Sequence, residues 1–564
     1  MPLAACRLFA LTAAFAVIVT AGCASGGREP PTTTKEPETR DPTALTVVAE
    51  IALERGDCRT AAETYAAAAS RAGAQVAQRA SEVALRCQHL PAAWESSLRW
   101  RALAPKDRNA AVVHATVALK LHRVPEARAA IRSALQAAGT ENEQSVQELI
   151  ALLLEEADAS TVLAATEGAI DIASASPETL AALGELALDS WNSQRAIQLA
   201  QQALERDPKS YEAKRILARA HVLRGDATQA IAAAREAMNA DPERGTFELA
   251  ETLAALDRLE EARYELDRLR STGAKQEEVA RRLAVLAWQG GDFEEAERRF
   301  QDLIVQGQAT DAALLFLADI YARGGAIDAA IAGYRRLNDS PLAITARTRA
   351  ADLLLDRKDR AEAMKLLDEF ASKNPQQAFD INVAKAHLLS EHGEGDFALE
   401  LLAAALDRHP EHPALEYDRA VLYERAGKVD EAIKTLESLL ARRADDPQVQ
   451  NALGYTLADH NRDLARAERL IRRALETMPD NPAILDSLGW VRFRRGDTRE
   501  AIAVLERAYT LGRDPEIAAH WGEVLWKSGA TQDARKVWTA ALARDPDSEP
   551  LKATMQRFLA ADAP

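Results

Sequence analysis

A period of about 34 residues runs through most of the 564-residue chain and limits the choice of fold more than any other feature. Pro208, Pro242, Pro375, Pro410, Pro479 and Pro546 each follow a helix-forming segment ending in an Ala-Leu-type pair. Twelve residues upstream of them stand Ala196, Ala230, Ala363, Ala398, Ala467 and Ala534. About five residues before that alanine a turn position recurs, filled by Gly225, Gly291, Gly325, Gly393, Gly427, Gly496 and Gly529. Each unit therefore reads as two antiparallel helices joined by a tight turn. One such hairpin cannot bury its own apolar stripe, so units must stack and the array is held by nearest-neighbour interfaces. The alanine register places units near 42, 76, 108, 142, 177, 211, 243, 277, 311, 344, 379, 413, 447, 482 and 515. The unit near 142 is degenerate, and the unit at 447 carries a one-residue insertion at His460-Asn461-Arg462-Asp463. A last helix, roughly Glu549 to Ala561, is expected to cap the end.

Leu488-Gly489…Gly496…Ala501…Leu505…Ala508 and Gly522…Gly529…Ala534…Trp538…Ala541…Pro546 resemble the tetratricopeptide signature. The resemblance implies an all-α, right-handed superhelical solenoid of about 15 hairpins. Small residues at Gly489 and Ala501 let two backbones approach closely, while Phe300, Tyr334 and Trp538 fill the space between hairpins. Proline ends the second helix because it lacks the N–H and clashes with the preceding turn. A solenoid grows along one axis, so this length needs no division into several compact cores. Aromatics make up only 5% of the chain, as close-packed helix pairs require, and no β-rich stretch is bounded by turn signals. The net charge of −16 argues against nucleic acid, which would be repelled.

The amino terminus bears on compartment. Arg7 precedes an apolar run, Leu8 to Val19, too short to span a bilayer and suited to a signal-peptide core. Thr20-Ala21-Gly22-Cys23 then resembles the bacterial lipobox, with Thr20 where the family usually has an aliphatic residue. The resemblance implies that 1–22 is removed, that Cys23 is lipidated, and, with Ala24-Ser25 following, that the destination is the outer membrane. The alternative is ordinary cleavage and a soluble periplasmic protein. Residues 23–42, rich in proline, glycine and threonine, have nothing to bury and read as a disordered tether. Beyond it, the repeats fall into degenerate units at 43–176, central units at 177–412 and carboxy-terminal units at 413–546, with 547–564 as the cap.

Cys58 and Cys87 remain once the signal and Cys23 are set aside, and they sit at equivalent turns of adjacent units. An oxidising periplasm favours a disulfide between them; two free, partly buried thiols are the alternative.

No catalytic constellation, cofactor motif or metal-ligand spacing stands out, so the chain reads as non-enzymatic. His409 and His412, in Arg-His-Pro-Glu-His-Pro, read as exposed loop residues rather than metal ligands. Acid pairs such as Glu294-Glu295 fall at helix starts, where they favour the macrodipole. Function is expected on the inner groove, lined by the second, fifth, ninth and twelfth positions of each first helix. In the last four units these include Tyr417, Asn451, Tyr455, Asp486, Trp490, Phe493, Glu523 and Trp526. So many large aromatics in an aromatic-poor chain point to rigid apolar anchors with polar neighbours. The competing reading is that Trp490 and Phe493 only pack between first helices. A basic clamp for acidic tails is absent from these positions.

Asn451-Ala-Leu-Gly-Tyr-Thr-Leu-Ala-Asp459, Pro482-Ala-Ile-Leu-Asp-Ser-Leu-Gly-Trp490 and Ala518-Ala-His-Trp-Gly-Glu-Val-Leu-Trp526 resemble long proteobacterial tetratricopeptide-repeat outer-membrane lipoproteins. That family includes the lipoprotein partner of a periplasmic carboxyl-terminal processing protease. The likeness is most specific over 413–546, and Ala49–Gly56 with Trp94, Trp100 and Pro105 looks similar more weakly. It implies a membrane-tethered adaptor that binds and activates such a protease and delivers cell-wall hydrolases to it. A scaffold for exopolysaccharide export or outer-membrane assembly shares the same anchor and repeats, and stays open as the alternative.

Overall fold

The computed structural model describes residues 41–137, 143–308, 310–546 and 548–559. The signal segment, Cys23 and nearly all of the tether lie outside the described residues. Among the described residues every regular element is helical, 31 α-helices and one short 3-10 turn at Pro375–Gln377. None is long and apolar enough to cross a membrane. Thirty helices pair into hairpins 1 to 15, spanning 42–69, 74–103, 108–137, 143–167, 177–206, 211–240, 242–271, 276–305, 311–335, 343–373, 378–408, 413–442, 447–477, 482–512 and 515–544. These begin within two residues of the positions that the alanine register sets. The last helix, Glu549–Leu559, covers hairpin 15.

Local chemistry explains the boundaries. Asp57, Asp226, Asp292 and Asp463 cap second helices by accepting from backbone N–H groups of the first turn. Pro413, Pro447, Pro482 and Pro515 open first helices, where the missing N–H is harmless. Pro242 does the same: it is the first residue of its helix rather than a terminator of the preceding one. The six register alanines are fully buried at the crossing of paired helices. A Cβ on Gly489 would collide with the Leu505 side chain, so the close approach there requires glycine. Phe300 and Tyr334 are buried, and Trp538 is buried between the two helices of hairpin 15 and the last helix rather than between hairpins. The degenerate hairpin 4 has a second helix of only 9 residues, Ala159–Glu167. Its Leu149, Leu153 and Val162 nevertheless join one core with Leu135 and Leu183, so stacking continues through it.

Cys58 and Cys87 are joined in a disulfide, with Cα atoms 5.3 Å apart, across the turns of hairpins 1 and 2.

Successive turns of the superhelix touch, which the repeat pattern did not foretell. Turns within the early hairpins meet loops between the late ones. Arg59 Nη1 donates to the Asp407 carbonyl at 3.0 Å, and His409 Nδ1 lies 2.9 Å from the Cys87 carbonyl. Arg443 Nη2 is 3.3 Å from His122 Nδ1. The Asp480 N–H donates to the Trp191 carbonyl, and the Ser193 N–H donates to Asp480 Oδ2, each at 2.9 Å. Arg544 pairs with Asp257 at 3.2 Å. Residues along this seam share a backbone peculiarity. Gln88, His122, Trp191 and Asp257 hold positive φ of 51°, 57°, 54° and 64° at the turn position that Gly225, Gly291 and Gly325 fill elsewhere. A side chain there costs on the order of 1 kcal/mol of strain, tolerated where the surroundings hold it.

The seam also corrects the reading of His409 and His412 as exposed. His412 is buried, and burial beside Lys120 and His409 pushes its pKa down to about 3. His409 is lowered as well, first by burial. Both are neutral packing residues at neutral pH.

Candidate binding groove

First helices of hairpins 12 to 15 lie side by side, and the eight residues expected on their inner face divide into three groups. Tyr417 stands at the seam, half-buried, lining a cavity of about 370 Å³ with Lys120, Asp158, His412, Arg443 and Asp446. Burial pushes its phenol up to about 12.

The second group gathers around His520, which the register reading missed. Trp490 is 5% exposed and stacks on the His520 ring at 4.5 Å, with the Phe493 ring 5.5 Å from it. Its indole Nε1 donates to Asp459 Oδ1 at 3.0 Å. Tyr455 lies 6.2 Å from His520. Asp486 faces His520 Nδ1 with oxygens at 2.8 and 3.1 Å. Burial disfavours a charge on His520, but Asp486, aided by Glu516 and Glu523, raises its pKa to about 9. An imidazolium thus already occupies the space between Trp490 and Asp486. Asn451 is half-buried, and its Oδ1 has no hydrogen-bond partner.

The third group belongs to the end of the solenoid. Glu523 is buried and held by Lys527 at 2.7 Å and by Arg557 of the last helix. Trp526, half-buried, stacks on Trp538 at 5.7 Å and lies 6.0 Å from Phe558. Asp486 and Glu523, expected as polar neighbours of the aromatic anchors, are therefore already matched by internal cations. Phe493, Tyr455 and Trp526 keep partly exposed surface along the row.

Carboxylates crowd this region. Burial pushes Glu424 up to about 7, with Asp459 adding to the effect and the Thr456 hydroxyl opposing it. Glu516 is raised by burial and then by Asp514. Glu424 and Glu516 occupy the twelfth and second positions of their helices, so the inward register already contained them. His520 and Asp459 fall outside that register. The signal for His520 is its distance of 34 residues from Asp486, one repeat along the chain.

Tetratricopeptide repeat models match residues 389–454 and 181–244, 281–343 and 451–516. The stacked hairpins, with these matches, have the architecture of a tetratricopeptide-repeat solenoid, whose extended inner surface is of the kind that binds other proteins. The TPR repeat-containing protein PA4667 of Pseudomonas aeruginosa is 36% identical over 180 residues, 32% of this chain and 30% of that protein. Bacteriophage adsorption protein A of Escherichia coli is 30% identical over 105 residues, 19% of this chain and 10% of that protein. The chain thus spans less than a third of the length of these curated relatives. A solved tetratricopeptide-repeat protein of Thermus thermophilus, 24% identical, covers 32% of this chain and 98% of its own, with a TM-score of 0.30.

Proposed function

We propose that this chain is a non-enzymatic scaffold, lipid-anchored through Cys23 to the periplasmic face of the outer membrane. In this reading it holds a carboxyl-terminal processing protease and presents cell-wall hydrolases to it. The observation that carries the reading is the grouping of three segments. Asn451–Asp459, Pro482–Trp490 and Ala518–Trp526, on which the family resemblance rests, are adjacent first helices of hairpins 13, 14 and 15. They pool an unmatched carboxamide, partly exposed aromatics and carboxylates in one row. Aromatic anchors of this kind dominate protein interfaces, and truncating one commonly costs about 2 kcal/mol, roughly thirtyfold in affinity.

Affinity capture from detergent-solubilised membranes tests the partner. The expected result is recovery of a carboxyl-terminal processing protease, lost when Asn451→Ala and Phe493→Ala are combined without loss of helicity. Recovery of polysaccharide-export or outer-membrane assembly proteins in its place would reject the protease and favour that alternative. Cys23→Ala is expected to leave the protein unprocessed or soluble, because the acyl chains supply the membrane affinity. Unchanged outer-membrane fractionation of that variant would remove the anchor.

A further inference from the structure

At the inner edge of the groove three donor groups from two neighbouring hairpins converge. Glu424 comes from the end of the first helix of hairpin 12, and Asp459 and His460 from the end of the first helix of hairpin 13. Their ligand atoms all lie within 4.8 Å of one another. His460 Nε2 and Glu424 Oε1 are 3.7 Å apart. Both atoms are closed off from solvent, and neither has a hydrogen-bond partner. A separation of 3.7 Å is too long for a hydrogen bond. It suits two ligands of one ion: donors about 2.1 Å from a tetrahedral centre lie roughly 3.4 Å apart.

We propose that Glu424, Asp459 and His460 bind one divalent transition-metal ion, Zn2+ being the best match to two carboxylates and an imidazole. The imidazole selects against Ca2+ and Mg2+, which prefer all-oxygen shells. Asp459 is already oriented as a ligand, because its Oδ1 accepts from the Trp490 indole at 3.0 Å. Outer contacts of this kind fix ligand geometry, and their loss commonly weakens metal binding about 10- to 100-fold. His460 begins the one-residue insertion that distinguishes hairpin 13, followed by Asn461 and Asp463 at positive φ. The ion ties the first helices of hairpins 12 and 13 together beneath Trp490. It thereby couples the relative tilt of those helices to the groove.

The test uses the full chain, stripped with a chelator and titrated with Co2+ followed by visible absorption and with Zn2+ followed by calorimetry. The expected result is one ion per chain, a rise in melting temperature and a change in indole emission. Glu424→Gln and His460→Gln should each weaken binding about tenfold or more, and Trp490→Phe about tenfold with the stoichiometry kept. Circular dichroism checks that each variant folds; if Glu424→Gln does not, His460→Gln carries the comparison. Absence of one-to-one binding overturns the proposal, as does binding unaltered by both ligand variants, which would place the ion on other histidines. Equal destabilisation of the variants with and without metal, in a chain that binds no ion, identifies an ion pair and overturns it too.

Discussion

Hairpins 1 to 3 and hairpins 14 and 15 have the same backbone architecture and opposite ways of holding it. The early core is mostly alanine, with Ala49, Ala61, Ala62, Ala69, Ala77, Ala80 and Ala84 around Tyr65 and Trp100. The late core is built on Trp538 and Tyr509, with Trp521, Trp526 and Phe558 packed against it. Alanine permits close helix approach but removes little apolar area from water per residue. The early end adds a covalent staple, and its first helix still exposes Val47, Val48 and Ile51. The late end needs no staple, since large rings and the last helix cover it. Small side chains set the geometry of a repeat; large ones and cross-links decide how firmly an end is held.

The largest expected effect breaks the aromatic end. Trp538→Ala should destabilise hairpins 14 and 15 by about 3–5 kcal/mol, since the buried ring also supports Trp526 and Phe558. Denaturant unfolding, with hydrogen exchange across Glu549–Leu559, checks it; a loss near zero would mean that the rings do not hold this end. Next, Cys58→Ser or reduction should cost about 2–4 kcal/mol, confined to the first hairpins, and non-reducing peptide mapping should find Cys58 joined to Cys87. Free thiols at both positions under oxidising conditions would reject the staple.

A smaller effect tests what lies between the ends. Asp480 is 2% exposed and matched by the Ser193 N–H and by Arg507. Asp480→Ala should cost about 1–3 kcal/mol, speed exchange of the Ser193 amide and enlarge the radius of gyration. An unchanged radius would show that the seam does not depend on this contact. The smallest effect is electrostatic. His520 has a folded pKa raised to about 9 from 6.5, so its contribution is fully present below 6.5 and is lost as pH rises through 9. Stability should fall by about 1 kcal/mol between pH 7 and 8. Asp486→Asn should flatten that slope, and a histidine titration by NMR with a midpoint near 6.5 would contradict the pairing.

The fold was legible because the repeat is enforced locally: the register alanines and the Gly489–Leu505 approach tolerate few residue types. The candidate site was legible only in part. Position within a helix identifies Trp490, Asp486 and Glu523 as facing inward, but not that His520, Lys527 and Arg557 already match them. The His520 and Arg557 pairings depend on side chains one repeat away, which helical periodicity does not report, whereas Lys527 stands four residues from Glu523 on the same helix. The seam was hidden for a different reason. Gln88, His122, Trp191 and Asp257 replace glycine at left-handed turns along it, but Lys358 and Asn461 do so at other turns too, so the replacement reads as simple degeneracy.

That seam has a consequence for how the molecule is made. Its contacts join residues 322 positions apart at Cys87 and His409 and 287 apart at Asp257 and Arg544. Hairpin contacts are local and form quickly, whereas these require more than half of the chain to be present. During synthesis the early hairpins are therefore complete while Ser193 and the Trp191 carbonyl still face water, awaiting Asp480. The second half of the chain acts as a late-arriving clasp on the first.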